Sequence, residues 1–146
     1  MEGGGKPQSH KFSINFSVPA HIIYNTLTNQ MEMCRLTQGQ AVVEPKPQGK
    51  YSIYDGMIEG EFISVEENKS IKMKWRMKDW TDQWFSDVTI TFLDIGSEAT
   101  EVAISQENIP EYDRYSKFVH LDNLEGGWKQ MVFKRIEQVF GYPIKN

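Results

Sequence analysis

Two runs of alternating apolar and polar residues, joined by a short polar loop, occupy the stretch from Lys69 to Leu93. In the first run the apolar residues are Ile71, Met73, Trp75 and Met77, and the alternating basic residues are Lys72, Lys74, Arg76 and Lys78. Successive side chains of a strand point to opposite faces, so this run predicts a strand with one apolar and one basic face. The second run alternates in the same way, with the apolar residues Val88, Ile90 and Phe92. Together the runs predict an antiparallel hairpin whose apolar side the rest of the chain must cover.

Similar alternation predicts further strands over residues 10–18, 41–43, 50–54, 57–65 and 99–106. Pro19 suits the first turn of a helix, and two short helices are predicted over residues 20–27 and 30–36. Asp55 followed by Gly56 predicts a tight hairpin turn, and Gly60 is expected to mark a bulge or a close approach of two backbones.

The last third of the chain has helical periodicity. Apolar residues recur at three- and four-residue spacing over residues 123–140: Leu124, Trp128, Met131, Val132, Ile136, Val139 and Phe140. Asp122 and Glu125 fit a capping box before this run, and Gly141 is a suitable end. Gly126 and Gly127 each cost about 1 kcal/mol relative to alanine inside a helix. We therefore expect them where the helix backbone must approach the sheet closely.

This order of elements indicates an α+β helix-grip fold. A curved antiparallel sheet of about six to seven strands would wrap around the long C-terminal helix, with two short helices after the first strand. Residues 1–9, which include a run of three glycines, are predicted to be a flexible tail, and residues 10–146 a single domain. Hydrophobic residues make up 39% of the chain and charged residues 25%, which is typical of a globular domain.

Charge and cysteine content exclude several classes of protein. The net charge of −4 makes the molecule as a whole a poor match for nucleic acid. No apolar run is long enough to span a bilayer, and the first residues do not resemble a signal segment. The single cysteine, Cys34, allows neither an intrachain disulfide nor a cysteine-based zinc cluster. We expect a monomer located in the cytoplasm or the nucleus, the cytoplasm being the prediction we adopt.

Candidates for catalysis are few. Glu59 and Glu61 share one face of a predicted strand, where paired carboxylates can act as acid and base, but no histidine or polar cluster accompanies them in the sequence. His10, His21 and His120 lack the spacing of metal ligands. Nucleophile, phosphate-loop and dinucleotide motifs are also missing from the sequence. We therefore predict that the protein is not an enzyme and uses no metal or cofactor.

Two features are candidates for binding a partner. The basic row, defined as Lys72, Lys74, Arg76 and Lys78, places its cations about 6.6–6.8 Å apart along one strand. It is either a solvated sheet face or a docking patch that steers the domain toward an acidic partner. Trp80 and Trp84 follow this row and are either contact residues or buried lids.

Several short motifs are shared with a known family. They are Asp55-Gly56, Gly60-Glu61-Phe62, Met73-Lys74-Trp75-Arg76 with Trp80 after it, Thr89-Ile90-Thr91-Phe92, Gly127-Trp128 and Phe140-Gly141-Tyr142. In these residues the chain resembles the C-terminal domain of activators of the heat-shock protein 90 ATPase, within the START-like (birch-allergen-like) superfamily. The likeness covers residues 11–142, and the Lys-Trp-Arg-x-x-x-Trp run is its most specific part.

The resemblance implies a co-chaperone that docks on heat-shock protein 90 and promotes its ATPase activity. Two-domain activators of this family also have an N-terminal domain that is prominent in the stimulation, and nothing before Lys11 matches it. We therefore expect binding more than strong activation by this chain alone. The alternative function is a START-like carrier of a small apolar ligand in the groove between helix and sheet. Bulky residues are expected to line that groove and fill it: Phe62, Trp75, Phe92, Trp128 and Met131.

Overall fold

Eight strands form one antiparallel sheet in the computed structural model, which describes residues 4–145. In chain order they are β1 (Gln8–Phe16), β2 (Val42–Val43), β3 (Lys50–Ile53), β4 (Ile58–Glu66), β5 (Ser70–Met77), β6 (Ser86–Gly96), β7 (Ala99–Ile109) and β8 (Ile144–Lys145). Their order across the sheet is β2-β3-β4-β5-β6-β7-β1-β8. The meander from β2 to β7 follows the predicted strands, whereas the two-residue strand β8 was not predicted.

Two short helices lie between β1 and β2, as predicted. Helix α1 (Ala20–Thr28) begins directly after Pro19, and helix α2 (Gln30–Thr37) follows almost at once. The side chain of Asn29 accepts a hydrogen bond of 3.0 Å from the backbone N–H of Glu32 and so caps α2. Helix α2 ends at Thr37, one residue beyond its predicted end, and Gln38 follows in the left-handed conformation at φ 55°.

The C-terminal helix consists of three consecutive segments: α3 (Leu121–Trp128), a π-helical turn (Lys129–Phe133) and α4 (Lys134–Phe140). At 1.5 Å per residue it is about 30 Å long, enough to cross the sheet. Its buried side chains face the sheet, where Trp128 stacks on Trp75 of β5 and Phe133 packs against Phe16 of β1. The helix therefore packs across one face of the sheet, which confirms the predicted helix-grip arrangement.

The π-helical turn was not predicted from the sequence. A π-turn inserts one extra residue into the hydrogen-bond ladder, and such turns are frequent at functional sites. Here the phenol O–H of Tyr54 donates a hydrogen bond to the backbone carbonyl of Met131. Burial raises the pKa of Tyr54, so its hydroxyl stays a donor at neutral pH. A side chain from the β3–β4 turn thus satisfies a carbonyl inside the widened segment.

A chain of buried hydrogen bonds ties the C-terminal helix to three strands. The indole N–H of Trp128 donates to Gln106 Oε1 at 3.0 Å, and Gln106 Nε2 donates to Ser86 Oγ at 2.9 Å. The hydroxyl of Ser86 in turn donates to the backbone carbonyl of Trp75 at 2.7 Å. Because buried polar groups are costly when unpaired, this chain specifies where Trp128 sits on the sheet.

The turn and close approach predicted around β4 are present. β3 pairs with β4 through a tight connection in which Tyr54 and Asp55 have φ of 53° and 56°. A Cβ on Gly60 would lie 1.8 Å from the backbone oxygen of Lys74, so the neighbouring strand leaves room only for glycine there. The bulge in β4 lies elsewhere, between Phe62 and Ser64.

Two details predicted for the C-terminal helix are wrong. The helix begins at Leu121, so Asp122 lies in its first turn, and His120 occupies the cap position without a side-chain cap bond. The second correction concerns Gly126 and Gly127: a Cβ on either would meet no heavy atom within 4 Å. These glycines border open space and do not bring the backbone against the sheet.

The beginning of the chain contacts the domain. The predicted flexible tail falls partly on residues 1–3, which lie outside the described residues. From Gly4 onward the chain packs against the loop after β7: the carbonyl of Gly4 accepts hydrogen bonds from the backbone N–H groups of Glu111 and Tyr112, at 2.7 and 3.0 Å. Strand β1 then begins at Gln8, two residues before the predicted start.

We expect Glu125→Gln to destabilise the protein by less than about 1 kcal/mol at pH 7. Hydrogen bonds from Lys129 Nζ and His10 Nε2, each 2.6 Å long, hold the pKa of the Glu125 carboxyl below its usual value. A depressed pKa stabilises the fold above the unfolded-state pKa of about 4.3, and this contribution is lost as the pH falls through the lower pKa of the folded state. Urea titrations at pH 7 and pH 3.5 measure the difference.

The exposed turn residue Glu98 offers a control, and Glu98→Gln should match the wild type at both pH values. A Glu125→Gln deficit that is equally large at pH 3.5 would contradict the linkage and assign the loss to packing.

Candidate functional site

Three members of the basic row are exposed: Lys72 and Lys74 on the outer face of β5, and Lys78 in the turn that follows this strand. Lys74 Nζ lies 3.7 Å from Asp87 Oδ1 on the neighbouring strand, and both side chains are about half exposed. The fourth member is different. Arg76 is only 7% exposed, so the prediction that it faces solvent is wrong.

Arg76 is buried because the loop between β5 and β6 folds back over it. Its guanidinium donates to the backbone carbonyls of Trp80 at 2.6 Å and Trp84 at 3.3 Å. A further bond of 3.3 Å joins Arg76 Nη1 to Glu59 Oε2, the residue opposite it on β4. The geometry matches the fork of donors that arginine presents, which a lysine could not reproduce. Arg76 therefore anchors a loop and is not available to a partner.

The two tryptophans of this loop face the protein. Trp80 is 3% exposed and packs edge-on against Trp75 with ring centroids 5.5 Å apart, so its predicted role as a partner contact is wrong. Trp84 is half-buried, and its indole N–H donates to the carbonyl of Asn108 at 2.8 Å. A role for Trp84 in partner contact stays a prediction.

The two carboxylates considered for catalysis lie beside cations. Glu59 is ion-paired with Arg76, and Glu61 is exposed and faces Lys74 across the strand pair. Neither belongs to a group that resembles an acid–base pair. Within residues 4–145 the structure contains no cluster of three or more histidine, cysteine, aspartate or glutamate side chains that could hold a metal ion.

A pocket of about 230 Å³ lies between the C-terminal helix and one end of the sheet. Apolar side chains form most of its wall: Ile53, Ile58, Trp75, Trp80, Trp128 and Met131. The expectation that bulky side chains would fill the groove is therefore wrong at this end. Of the five residues predicted to line the groove, Phe62 and Phe92 lie outside the pocket, where they pack against Tyr51 and Tyr24.

The mouth of the pocket combines exposed and charged residues that sequence reasoning missed. Asp79, Phe118, His120 and Asn123 line the pocket and are exposed, and the half-buried Asp113 lines it too. Neither lysine nor arginine is among the lining residues in the described part of the chain. The rim therefore carries negative charge without a compensating cation in the pocket wall.

An aromatic hairpin, defined here as residues 111–119, forms one side of this mouth. Tyr112 and Phe118 pair across it through an antiparallel bridge, and Tyr115 stands between them near the tip. Its signal in the sequence is an aromatic residue at every third position after Pro110, a spacing that does not by itself indicate a hairpin.

A sequence model of the family described as "Activator of Hsp90 ATPase homolog 1-like protein" matches residues 17–141. This range covers most of the chain. The chain belongs to this family.

Similar proteins of this family come from distant organisms. The human "Activator of 90 kDa heat shock protein ATPase homolog 1" is 32% identical over 120 residues, which are 82% of this chain and 33% of that protein. The Dictyostelium discoideum homologue is 33% identical over 122 residues, 84% of this chain and 30% of the relative. A crystal structure of an HSP90 activator from Plasmodium falciparum superposes with a TM-score of 0.87 at 31% identity, covering 94% of this chain and 99% of the other.

The family match includes every candidate surface described above, because the basic row, the pocket and the aromatic hairpin all lie within residues 17–141. This member of the Activator of Hsp90 ATPase family spans about one third of the curated relatives it matches. Among the residues described, none of the helices is long and apolar enough to cross a membrane.

Proposed function

We propose that this domain is a co-chaperone module that docks on heat-shock protein 90 and promotes its ATPase activity. The observation that carries the proposal is the agreement between family and fold: relatives at 32–33% identity are named as activators of that ATPase. The Plasmodium falciparum HSP90 activator has the same fold over 94% of this chain. Docking in the cytoplasm of the cell follows from the same proposal.

The exposed lysines of the basic row are the proposed docking surface. Lys72, Lys74 and Lys78 form a short series of exposed cations on a chain whose net charge is −4, although Asp87 and Glu61 lie beside Lys74. Patches of this kind act mainly on the association rate, because they orient the domain toward an acidic surface before contact. The burial of Arg76 under the β5–β6 loop reduces the row to three exposed cations.

We also propose that the domain is not itself an enzyme. The two carboxylates considered for an acid–base pair are not arranged as one: Glu59 is bound to Arg76, and Glu61 faces solvent beside Lys74. Incubation with activated esters, ketones or sugars tests this proposal. Turnover that disappears in Glu59→Gln or Glu61→Gln would contradict it.

A second candidate function is carriage of a small apolar ligand, which the unfilled pocket of about 230 Å³ favours. A carrier would retain a small molecule through purification and release it on denaturation, and native mass spectrometry detects such a molecule. A docking module would show only the mass of the chain.

Reversing two charges of the row, Lys74→Glu with Lys78→Glu, should slow association with heat-shock protein 90 about tenfold and leave folding nearly unchanged. Exposed substitutions of this kind usually change stability by no more than about 0.5 kcal/mol each. The wild-type association rate should fall as salt is added, since the Debye length is about 8 Å at physiological ionic strength. Surface plasmon resonance over a salt series measures both effects.

A charge-matched control separates the row from net charge. Lys11→Glu with Lys134→Glu makes the same change at exposed positions on β1 and the C-terminal helix, and it should bind close to the wild-type rate. Equal slowing in both double variants would assign the effect to overall charge. A wild-type rate that does not respond to salt would reduce the row to a solvated face.

A further inference from the structure

The aromatic hairpin is a rigid frame. Its backbone is closed by hydrogen bonds from Asp113 N to the carbonyl of Lys117 at 2.9 Å and from Val119 N to that of Glu111 at 2.8 Å. The carboxylate of Asp113 also accepts from the backbone N–H groups of Tyr115 and Lys117, at 2.8 and 2.9 Å. Local bonds of this type hold a turn in one conformation.

The hairpin is also braced against the loop that follows β5. Arg114 N donates to the carbonyl of Asp79 at 2.8 Å. The guanidinium of Arg114 donates to the carbonyl of Trp80 at 3.1 and 3.2 Å and binds the carboxylate of Asp82. The Trp80 carbonyl thus accepts from Arg114 and Arg76 together, which joins the hairpin to the sheet.

Three large aromatic side chains on this frame face solvent. Tyr112 is 38% exposed, Phe118 46% and Tyr115 64%. The stability of the fold does not explain why these side chains are exposed, because an aromatic side chain that faces solvent removes little apolar surface from water. Rigid exposed tyrosine and phenylalanine bind with a small entropic cost, and contiguous apolar surface marks interaction sites. Phe118 also lines the pocket, so this surface and the pocket are continuous.

At Gly127 the C-terminal helix borders the pocket without placing a side chain in it. A Cβ on Gly127 would meet nothing within 4 Å, and Gly127 lines the pocket. A larger residue in this position would extend into open space and would also favour the helix by about 1 kcal/mol. The π-turn follows two residues later and widens the helix where Met131 lines the same pocket. A glycine without a side chain and a π-helical turn therefore border the same pocket.

The charged residues that line the pocket indicate which kind of group could bind there. Asp79 and Asp113 are the two acidic residues that line the pocket, and the lining residues of the described chain include no lysine or arginine. An apolar group carrying an adjacent positive charge complements this arrangement, because the apolar part leaves water while the cation stays at the rim. A small molecule would use the pocket but would leave the exposed surface of Tyr115 without a role.

We propose that the pocket and the aromatic hairpin together bind a segment of the partner chaperone in which an apolar side chain is flanked by lysine or arginine. This inference rests on the proposed function and adds a second surface to the basic row. The apolar side chain enters beside Gly127, the flanking cation meets Asp79 and Asp113, and the segment's backbone lies across Tyr115.

A pair of glycine variants tests the proposal. Gly127→Leu places a side chain in the pocket, whereas Gly126→Leu makes the same chemical change at a neighbouring position that does not line it. Isothermal titration calorimetry against purified heat-shock protein 90 should give at least a tenfold weaker Kd for Gly127→Leu. The control Gly126→Leu should stay within twofold of the wild type. Thermal denaturation establishes that both variants fold.

A second variant acts from outside the pocket. Tyr115→Ser removes the most exposed aromatic side chain without touching the cavity and should weaken binding at least threefold. Affinity unchanged in both folded variants overturns the inference while the proposed function stands. A wild-type chain that does not bind the chaperone overturns the proposed function and this inference with it. A co-purifying small molecule that only Gly127→Leu excludes, at unchanged chaperone affinity, would assign the pocket to a ligand instead.

Discussion

Replacing Trp128 with alanine should lower the free energy of unfolding by about 3–5 kcal/mol, the usual range for removing a large buried aromatic side chain. Trp128 is 5% exposed and stacks on Trp75 with ring centroids 5.3 Å apart and an interplanar angle of 19°. The substitution would also leave Gln106 Oε1, which accepts the indole N–H, without its partner. Urea denaturation followed by circular dichroism measures the loss of unfolding free energy. Thermal denaturation should show a melting temperature lower by roughly 10 °C.

Tyr115→Ala serves as the control for Trp128→Ala. It also truncates an aromatic side chain, but one that is 64% exposed, so the expected change is within about 0.5 kcal/mol. If Trp128→Ala melted near the wild-type temperature, the helix face assigned to the core would be the wrong one.

Local patterning predicts most of this fold, because the buried faces repeat with the period of their element. β5 shows this most clearly: Ile71, Met73 and Trp75 are each no more than 2% exposed, as their two-residue spacing requires. The C-terminal helix behaves similarly, with Trp128, Val132 and Ile136 buried at four-residue spacing. These features depend only on neighbours within a few residues in sequence.

Arg76 shows where patterning fails. Alternation assigns a side chain to a face of the sheet, but it does not report what covers that face. The cover comes from a loop whose position depends on Arg114, 38 positions further along the sequence, through the shared carbonyl of Trp80. No periodicity carries that information. The same limitation hid the burial of Trp80, which the loop turns toward Trp75.

The position of Gln106 in the sequence indicates a buried hydrogen-bonding group, which hydrophobic periodicity alone does not detect. It continues the inward-facing series of Val102 and Ile104, so a polar side chain stood at a position that alternation assigns to the core. A buried amide needs partners, and here they are the indole N–H of Trp128 and the hydroxyl of Ser86. The pocket had no such signal, because its lining residues come from separate parts of the chain and one of them, Gly127, has no side chain.

Arg76→Met should destabilise the protein by about 3 kcal/mol, more than any other change in the basic row. Methionine retains much of the apolar volume but donates no hydrogen bonds, and bonds from a charged donor contribute about 1.5–3 kcal/mol each. The carbonyl of Trp84 would lose the side-chain donor that the structure gives it, while that of Trp80 would keep only Arg114. Urea denaturation gives the free energy, and hydrogen exchange of the β5–β6 loop amides should become faster.

Lys74→Met makes the nearest matched comparison, since it lies on the same strand and the same face two residues earlier. Its side chain is 48% exposed and its contact with Asp87 is 3.7 Å, so we expect a change within about 0.5 kcal/mol. The difference in unfolding free energy between the two variants separates the contribution of the contacts with the covering loop from the effect of losing a positive charge. Equal and small effects would mean that Arg76 faces solvent like its neighbours, and the row would then recover its fourth cation for docking.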